Sequence, residues 1–323
     1  MGTQYIPDIK LFSRILKIML TNHSDFSGAL QGIGVVSIGN TDFRAFSQKE
    51  VDLTREARLI LFLSFLSKNN AVRNDMNAGH WCATTDNFEL RYHNFEIDND
   101  NIAVFDGYIL QSTAGGYSMN IHRFYRPSYV PSPMNFEIDK DLFSSLLQLK
   151  TKNPQVFNKI IGATELFSDS YYNSTTISSN ARILCQMGAL EMLLSLPKRG
   201  QRKAFKDIIE TQVKLAGERK IVNYYETRWG KQKELLTIKG IWGDKFYTLR
   251  NHIIHGGKIL KGEYIFRRSQ HHVHIAMLFF VFFIKQEINK ALGRTIFSQR
   301  IIREKHKIGY DDTEKNIFIY ESL

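Results

Sequence analysis

The sequence predicts two domains of different class, an α+β domain over residues 1–153 and an all-α helix bundle over residues 154–323. Before residue 150, short alternating or β-branched stretches are separated by glycine turns, which is typical of strands. After Pro154, apolar residues recur at helical spacing in five long segments. A chain of 323 residues can bury two separate cores, so two domains fit its length.

The N-terminal domain is predicted to combine strands with one helix. Strands are expected over residues 34–38, 88–97 and 102–110. The helix is expected to be capped at its start by Asp52 and to present an apolar face that includes Phe65. Such a domain fits a sensor of a trigger, a module that holds substrate or a module that binds an inhibitor.

The boundary between the domains is placed at Thr151–Pro154, directly after a helix predicted over residues 139–149. Proline disfavours helical backbone in the residue before it, so the helical pattern is interrupted there. Further helices are then expected over residues 155–171, 178–196, 204–216, 238–255 and 270–292. Short connections that carry glycine or proline predict antiparallel packing of neighbouring helices.

Residues 275–284 form the strongest apolar run, but this run spans only 10 residues. A helix needs roughly 20 apolar residues to cross a bilayer, so we expect a buried helix and no membrane contact. The start of the sequence shows neither the N-myristoylation pattern nor a cleavable signal. Cys82 and Cys185 lack the spacing of a zinc site or a disulphide framework, so both are expected to be reduced thiols of a cytoplasmic protein.

The chain is basic, since 43 Lys and Arg against 32 Asp and Glu give a net charge of +11 and an isoelectric point near 9.5. This sign favours RNA or another polyanion as partner, although basic surfaces also serve solubility or acidic protein partners. Part of the charge is concentrated in one short segment, for which contact with RNA phosphates and a solvated face are the two interpretations. The residues of this segment expected to bind RNA are Lys198, Arg199, Arg202 and Lys203.

The candidate catalytic residues lie at the end of the helix predicted over residues 238–255. Glycine accepts the left-handed backbone that closes a helix, so Gly256 and Gly257 place His255 in or just after the final turn. The carbonyl end of a helix favours a protonated imidazole, which suits a group that takes and gives a proton near neutral pH. Arg250 precedes His255 by five residues, which is about 140° around an ideal helix. The two side chains can flank a phosphodiester without lying on one stripe.

RNA is a polymer for which these two side chains are sufficient. Its 2′-hydroxyl is an internal nucleophile beside the scissile phosphate, so the reaction needs neither a metal nor another cofactor. Histidine can transfer protons, and arginine can stabilise negative charge on the phosphorane-like transition state. One histidine cannot easily act as base and acid at once, whereas two copies across a two-fold axis would supply two histidines and two arginines. A homodimer is therefore expected.

At these residues the chain resembles the HEPN superfamily, and within it the Apea-like group. The motif of that group, arginine, a polar residue and a later histidine at a helix end, is represented by Arg250, Asn251 and His255. The stretch Gly188–Leu194, which contains Glu191, is similar to the first-helix pattern of the group. The resemblance covers roughly residues 154–293 and implies an all-helical domain, dimerisation through the helix with the motif, and metal-independent cleavage to a 2′,3′-cyclic phosphate. Many members are toxins or antiviral-defence effectors, which implies an antitoxin or a defence partner.

Three residues near this motif each keep two interpretations. Asn251 orients the phosphate or caps local backbone groups. His252 is a second proton-transfer or RNA-binding group, or it faces solvent. Glu191 pairs with Arg250 across the bundle and fixes the guanidinium, or it occupies an exposed helix position.

The histidines at 271 and 274 could share a metal if they were helical, but no acidic or cysteine partner has matching spacing, so no metal site is expected. The competing function is a non-catalytic HEPN-type module that binds RNA or nucleotide and a protein partner. Growth arrest that Arg250→Ala or His255→Ala relieves would favour catalysis over this alternative.

Overall fold

The computed structural model describes residues 24–25, 28–29, 47–69, 94–98, 101–106, 109–112, 138–170, 177–215, 220–227, 230–267, 270–297, 300–304 and 317–319. The chain divides into two compact units. The first comprises Met1–Arg58 and Glu89–Pro131, and the second comprises Leu59–Phe88 and Ser132–Leu323. The assignment of separate functions to residues 1–153 and 154–323 stays a prediction.

The first unit contains two small antiparallel sheets. Strands β1 (Ser24–Asp25) and β2 (Gly28–Ala29) pair with each other, and β3 (Asn94–Asp98), β4 (Asn101–Asp106) and β5 (Ile109–Ser112) form a sheet in that order. Asp106 pairs with Ile109, so the single strand predicted over residues 102–110 is wrong and is replaced by two strands. The strand predicted over residues 34–38 lies outside the described residues. The α+β character of residues 1–153 as a whole stays a prediction.

Helix α1 (Gln48–Asn69) begins earlier than expected. The backbone N–H of Ser47 donates to Glu50 Oε2 at 2.8 Å, and the N–H of Glu50 donates back to Ser47 Oγ at 3.4 Å. This reciprocal pair is a capping box, so Ser47 caps the helix and the prediction of Asp52 as the cap is wrong. Asp52 lies inside the helix, where it accepts a hydrogen bond from Gln48 Nε2 at 2.9 Å.

The second unit is mostly helical, which confirms the coarse prediction of a helix bundle. Its helices begin and end close to the predicted residues except for α5, which starts and ends earlier. Helix α5 ends at Gln212 because Val213 takes an extended backbone with φ −89° and ψ 119°. The helices are α2 (Lys140–Lys152), α3 (Pro154–Ser170), α4 (Ser179–Leu194), α5 (Gln201–Gln212), α6 (Ile238–Ile254) and α7 (His272–Leu292).

The bundle is not all-α, which corrects the prediction for residues 154–323. A β-hairpin of β7 (Ile221–Thr227) and β8 (Gly230–Leu236) connects α5 to α6. Its first strand is rich in β-branched and aromatic residues, which favour strands over helices. Five further short strands of the described residues form three pairs: β6 (Lys214–Leu215) with β11 (Arg300–Glu304), β9 (Ile265–Arg267) with β10 (Gln270–His271), and β12 (Ile317–Ile319) with β11.

Helix α7 is the centre of the helical core. Every residue from Ile275 to Ile284 is buried, and α7 packs against α2, α3 and α4. Phe280 stacks on Phe167 of α3, with 4.2 Å between ring centroids. A helix that is apolar on all sides is stable only when it is enclosed, so the predicted buried helix is confirmed. Among the described helices, none is long and apolar enough to cross a membrane.

A buried ion pair fixes the start of α2 against α7. Lys285 Nζ lies 2.8 Å from Asp139 Oδ2, and both side chains are less than one tenth exposed. Asp139 also accepts hydrogen bonds from the Ser67 hydroxyl at 2.6 Å and from the N–H of Leu142 at 3.0 Å. Burial raises the pKa of Asp139, but the charge of Lys285 and these hydrogen bonds outweigh burial and hold the pKa below its usual value. Asp139 therefore stays charged in the core.

Two polar links hold α5 antiparallel to α6 and so place the first turn of α5 beside the middle of α6. Glu210 near the end of α5 accepts hydrogen bonds from the N–H and the hydroxyl of Thr237, at 2.7 and 2.6 Å, and Thr237 is the N-cap of α6. Arg202 in the first turn of α5 donates two hydrogen bonds to Asp244 on α6.

Candidate active site

Helix α6 ends in a Schellman motif that fixes the position of His255. The N–H of Gly257 donates to the carbonyl of His252 at 2.8 Å, and the N–H of Gly256 donates to the carbonyl of Ile253 at 3.2 Å. Gly256 has φ 72°, the left-handed backbone that this motif requires. His255 is the C-cap residue, so the prediction that it lies in or just after the final turn is confirmed.

The His255 imidazole is exposed at the carbonyl end of α6. Within the described residues, no hydrogen bond or ion pair joins Arg250 to His255. One copy of the chain therefore presents the two side chains at the same helix end without bringing them together, as the angle of about 140° between them implies.

Three neighbours hold the guanidinium of Arg250, whose side chain is 22% exposed. Its Nη2 lies 3.3 Å from Oε1 of Glu191 on α4, so of the two interpretations of Glu191 the structure has the ion pair. Its Nη1 donates to Asn251 Oδ1 at 3.1 Å, so Asn251 contacts the arginine. Its central carbon lies 5.4 Å from the centre of the Tyr247 ring, within range of a cation–π contact. A guanidinium has five N–H donors, so these contacts leave donors for a phosphate.

Tyr247 connects this arginine to the rest of the bundle and is a site residue that the sequence analysis missed. Its hydroxyl donates to Glu191 Oε1 at 2.9 Å and to Gln201 Oε1 at 2.8 Å. Burial and the neighbouring Glu191 raise its pKa to about 12, so the phenol keeps its proton at neutral pH. The one available signal was its position three residues before Arg250, which puts both on neighbouring positions of the helix surface.

The four basic residues predicted to bind RNA fall into two groups. Lys198, Arg199 and Lys203 are exposed and lie in the connection before α5 or in its first turn. Arg202 instead forms a two-point ion pair with Asp244, with both N–O distances at 2.8 Å. Gln201 of this segment contacts Tyr247. The segment therefore lies next to the Arg250 cluster, which consists of Arg250, Glu191, Asn251 and Tyr247.

Among the described residues, His252, His271 and His274 form no hydrogen bond or ion pair with Arg250 or Glu191. The His252 side chain is 58% exposed, and its Nδ1 lies 3.9 Å from Glu263 Oε2, which matches the interpretation of a solvent-facing residue. The rings of His271 and His274 are 5.7 Å apart between centroids. Burial lowers the pKa of His274 to about 4, with the charges of His271 and Arg182 acting in the same direction. In the part of the chain that the structure describes, no group of three or more His, Cys, Asp or Glu side chains could hold a metal ion.

Comparison with known proteins adds no relative, because no protein-family model, no curated protein and no solved structure matches the chain. Function is therefore inferred from the residues at the end of α6 and from the side chains that surround them.

Proposed function

We propose that this protein is a homodimeric, metal-independent endoribonuclease of the HEPN type that cleaves RNA by attack of the 2′-hydroxyl to give a 2′,3′-cyclic phosphate. The observation that carries the proposal is the arrangement at the end of α6. An arginine held by Glu191 and an exposed histidine lie at one helix end, beside a segment with three exposed basic residues.

Each side chain of this arrangement has a role in the proposed reaction. Arg250 donates hydrogen bonds to the phosphate oxygens and stabilises the charge that develops on the phosphorane. Glu191 and Asn251 orient the guanidinium through the contacts described above. His255 removes the proton of the 2′-hydroxyl or protonates the leaving oxygen. Lys198, Arg199 and Lys203 bind phosphates that flank the scissile bond.

A second copy of the chain completes the site. Acid and base require two proton-transfer groups. Two histidines of one copy are exposed at this helix end, but His252 lies beside Glu263 and outside the motif, so we assign the second group to His255 of a second copy. An apolar side chain lies exposed on the motif helix, since Ile254, four residues after Arg250, is 49% exposed. Exposed apolar side chains of this kind favour burial against a partner surface. We place the dimer contact there, through the helix that carries the motif.

The biological role that fits this activity is that of a toxin or an antiviral-defence effector in the cytoplasm. Uncontrolled cleavage of cellular RNA would harm the host cell, so such an enzyme needs control by an antitoxin, a defence partner or a trigger. We assign this control to the N-terminal domain, which would sense the trigger, hold substrate or bind the inhibitor.

The proposal is tested by RNA cleavage in the presence of EDTA, with wild type, Arg250→Ala and His255→Ala at equal concentration. His271→Ala is the matched control, because His271 is an exposed histidine outside the proposed site. Cleavage by wild type and the control but by neither site variant supports catalysis. Equal cleavage by all four proteins would reject the site. If wild type binds RNA without cleaving it, and the two site variants bind RNA equally well, the result would favour a non-catalytic RNA- or nucleotide-binding and partner-interaction module.

A further inference from the structure

We propose that Tyr247 is a positioning residue that fixes the Arg250 guanidinium and connects it to the basic segment of residues 198–203. This inference rests on the proposed ribonuclease function, but the contacts that carry it belong to the protein without substrate. Tyr247 is 2% exposed, so bulk water does not compete for its hydroxyl.

Three helices meet at the Tyr247 hydroxyl. Tyr247 belongs to α6, Glu191 at 2.9 Å belongs to α4, and Gln201 at 2.8 Å is the first residue of α5. A phenol has one proton, which the two acceptors share. The contact with Gln201 places the segment that carries Lys198, Arg199 and Lys203 at a fixed distance from Arg250. Arg202 of the same segment also binds Asp244 on α6, so the segment keeps its place when the hydroxyl is lost.

The same side chain restrains Arg250 in two ways. Its ring lies beside the guanidinium at 5.4 Å, and its hydroxyl holds the carboxylate that pairs with the guanidinium at 3.3 Å. Without the hydroxyl, the Glu191 carboxylate would lose the hydrogen bond that holds it at 2.9 Å. An ion pair with a 3.3 Å separation to a less fixed carboxylate would restrain the guanidinium less. The charge available to bind phosphate would stay the same. Loss of the hydroxyl should therefore slow the chemical step and leave substrate affinity almost unchanged.

The test compares Tyr247→Phe with Thr248→Val. Tyr247→Phe keeps the ring and removes the hydroxyl. Thr248→Val also removes one hydroxyl from α6, but that hydroxyl donates within the helix to the Asp244 carbonyl at 2.8 Å. Steady-state cleavage of an RNA oligonucleotide should show kcat reduced about tenfold in Tyr247→Phe. KM should stay within about twofold of wild type, and Thr248→Val should resemble wild type in both constants.

A second readout does not depend on cleavage. NMR of arginine side chains reports how fast the guanidinium rotates, and the Arg250 signal is identified by its absence in Arg250→Lys. Rotation should be about tenfold faster in Tyr247→Phe than in wild type or Thr248→Val. If Tyr247→Phe does not fold, Glu191→Gln, which keeps the shape but removes the charge, should show the same faster rotation.

The outcomes separate this inference from the proposed function. If wild type cleaves and Tyr247→Phe matches it in kcat and in guanidinium rotation, the role of Tyr247 is wrong and the ribonuclease proposal stands. If wild type does not cleave, the ribonuclease proposal fails, and the rotation rates alone decide whether Tyr247 positions Arg250. An increase of KM in Tyr247→Phe with kcat unchanged would also reject the positioning role, because it would show that the hydroxyl contributes to substrate binding.

Discussion

At the scale of single residues, His272 makes the helical unit sensitive to acid. It is 2% exposed and packs beside Phe246 and Phe266, with 5.7 and 5.6 Å between ring centroids. Burial lowers its pKa to about 3, and the charges of Lys245 and His271 act in the same direction. Because histidine in an unfolded chain titrates near 6.5, the unfolded state binds protons more strongly than the folded state between these two values.

Stability should therefore be highest above about pH 6.5 and fall as the pH is lowered towards 4, by at most about 1.4 kcal/mol per pH unit for this histidine. Urea unfolding of wild type and His272→Leu between these pH values measures the effect. The variant should show a shallower loss, while the control His252→Ala, which changes an exposed histidine, should follow wild type. Equal slopes for wild type and His272→Leu would show that His272 is not a buried neutral group.

The residues of the candidate site could be predicted where their chemistry follows from position along one helix. The place of His255 at the end of α6 follows from two glycines. The cost of an unpaired carboxylate in an apolar run left the pairing of Glu191 with Arg250 as one of two interpretations, between which the structure decides. Tyr247 and Gln201 could not be predicted, because they belong to no motif and gain their role only where three helices meet. The ion pair between Arg202 and Asp244 was missed for the same reason, since it joins residues 42 apart in sequence.

At the scale of elements, the backbone of Gly256 holds the end of α6 in place. Its φ of 72° is unfavourable for residues with a Cβ, although a Cβ there would meet no atom within 4 Å. Gly256→Ala should therefore lower the free energy of unfolding by about 1 kcal/mol through backbone strain alone. Gly262→Ala is the control, because a Cβ at Gly262 also meets nothing within 4 Å and its φ is not positive. Urea unfolding should give a smaller loss or a gain for the control, and equal losses for both variants would contradict the strain argument.

The helices were predictable from apolar spacing, and the strands were less so. Helices α3, α4, α6 and α7 carry long periodic patterns whose core faces are read directly from the sequence. The strand predicted over residues 102–110 contains an Asp-Gly pair, Asp106–Gly107, which is a hairpin signal that divides it. The hairpin of β7 and β8 was missed because its first strand does not alternate cleanly between apolar and polar residues. The early start of α1 depends on the capping box of Ser47 and Glu50, and Ser47 lies five residues before the predicted cap Asp52.

At the level of the whole molecule, the proposed cleavage reaction requires two copies of the chain. Ile254→Glu places a charge on the proposed contact surface and should shift the molar mass measured by light scattering from a dimer to a single chain of 37.5 kDa. Leu235→Glu is the matched control, because Leu235 is 60% exposed on the hairpin and lies outside the proposed contact. A dimer that persists in Ile254→Glu would show that the chains associate elsewhere, and a wild-type monomer would remove the two-histidine site.

The overall architecture could be predicted in outline because burial depends on composition along each segment. The apolar run of residues 275–284 had to be enclosed, and it forms the centre of the core. The participation of α1 and α2 in that core could not be predicted, since Phe62, Phe65 and Asp139 reach it through contacts distant in sequence. A proline used to predict a domain boundary gives no information about such contacts.

In the proposed reaction, His255 and Arg250 direct the 2′-hydroxyl of RNA onto the adjacent phosphate. The most direct measurement uses an RNA oligonucleotide that wild type cuts at one position, together with the same oligonucleotide carrying a 2′-deoxy nucleotide immediately 5′ of that position. We predict a 2′,3′-cyclic phosphate on the product of the first substrate, no cut at the deoxy nucleotide, and no product from either substrate with His255→Ala. Cleavage of the deoxy substrate at the same position and rate as the RNA substrate would contradict the proposed reaction, because the nucleophile would then be water rather than the 2′-hydroxyl.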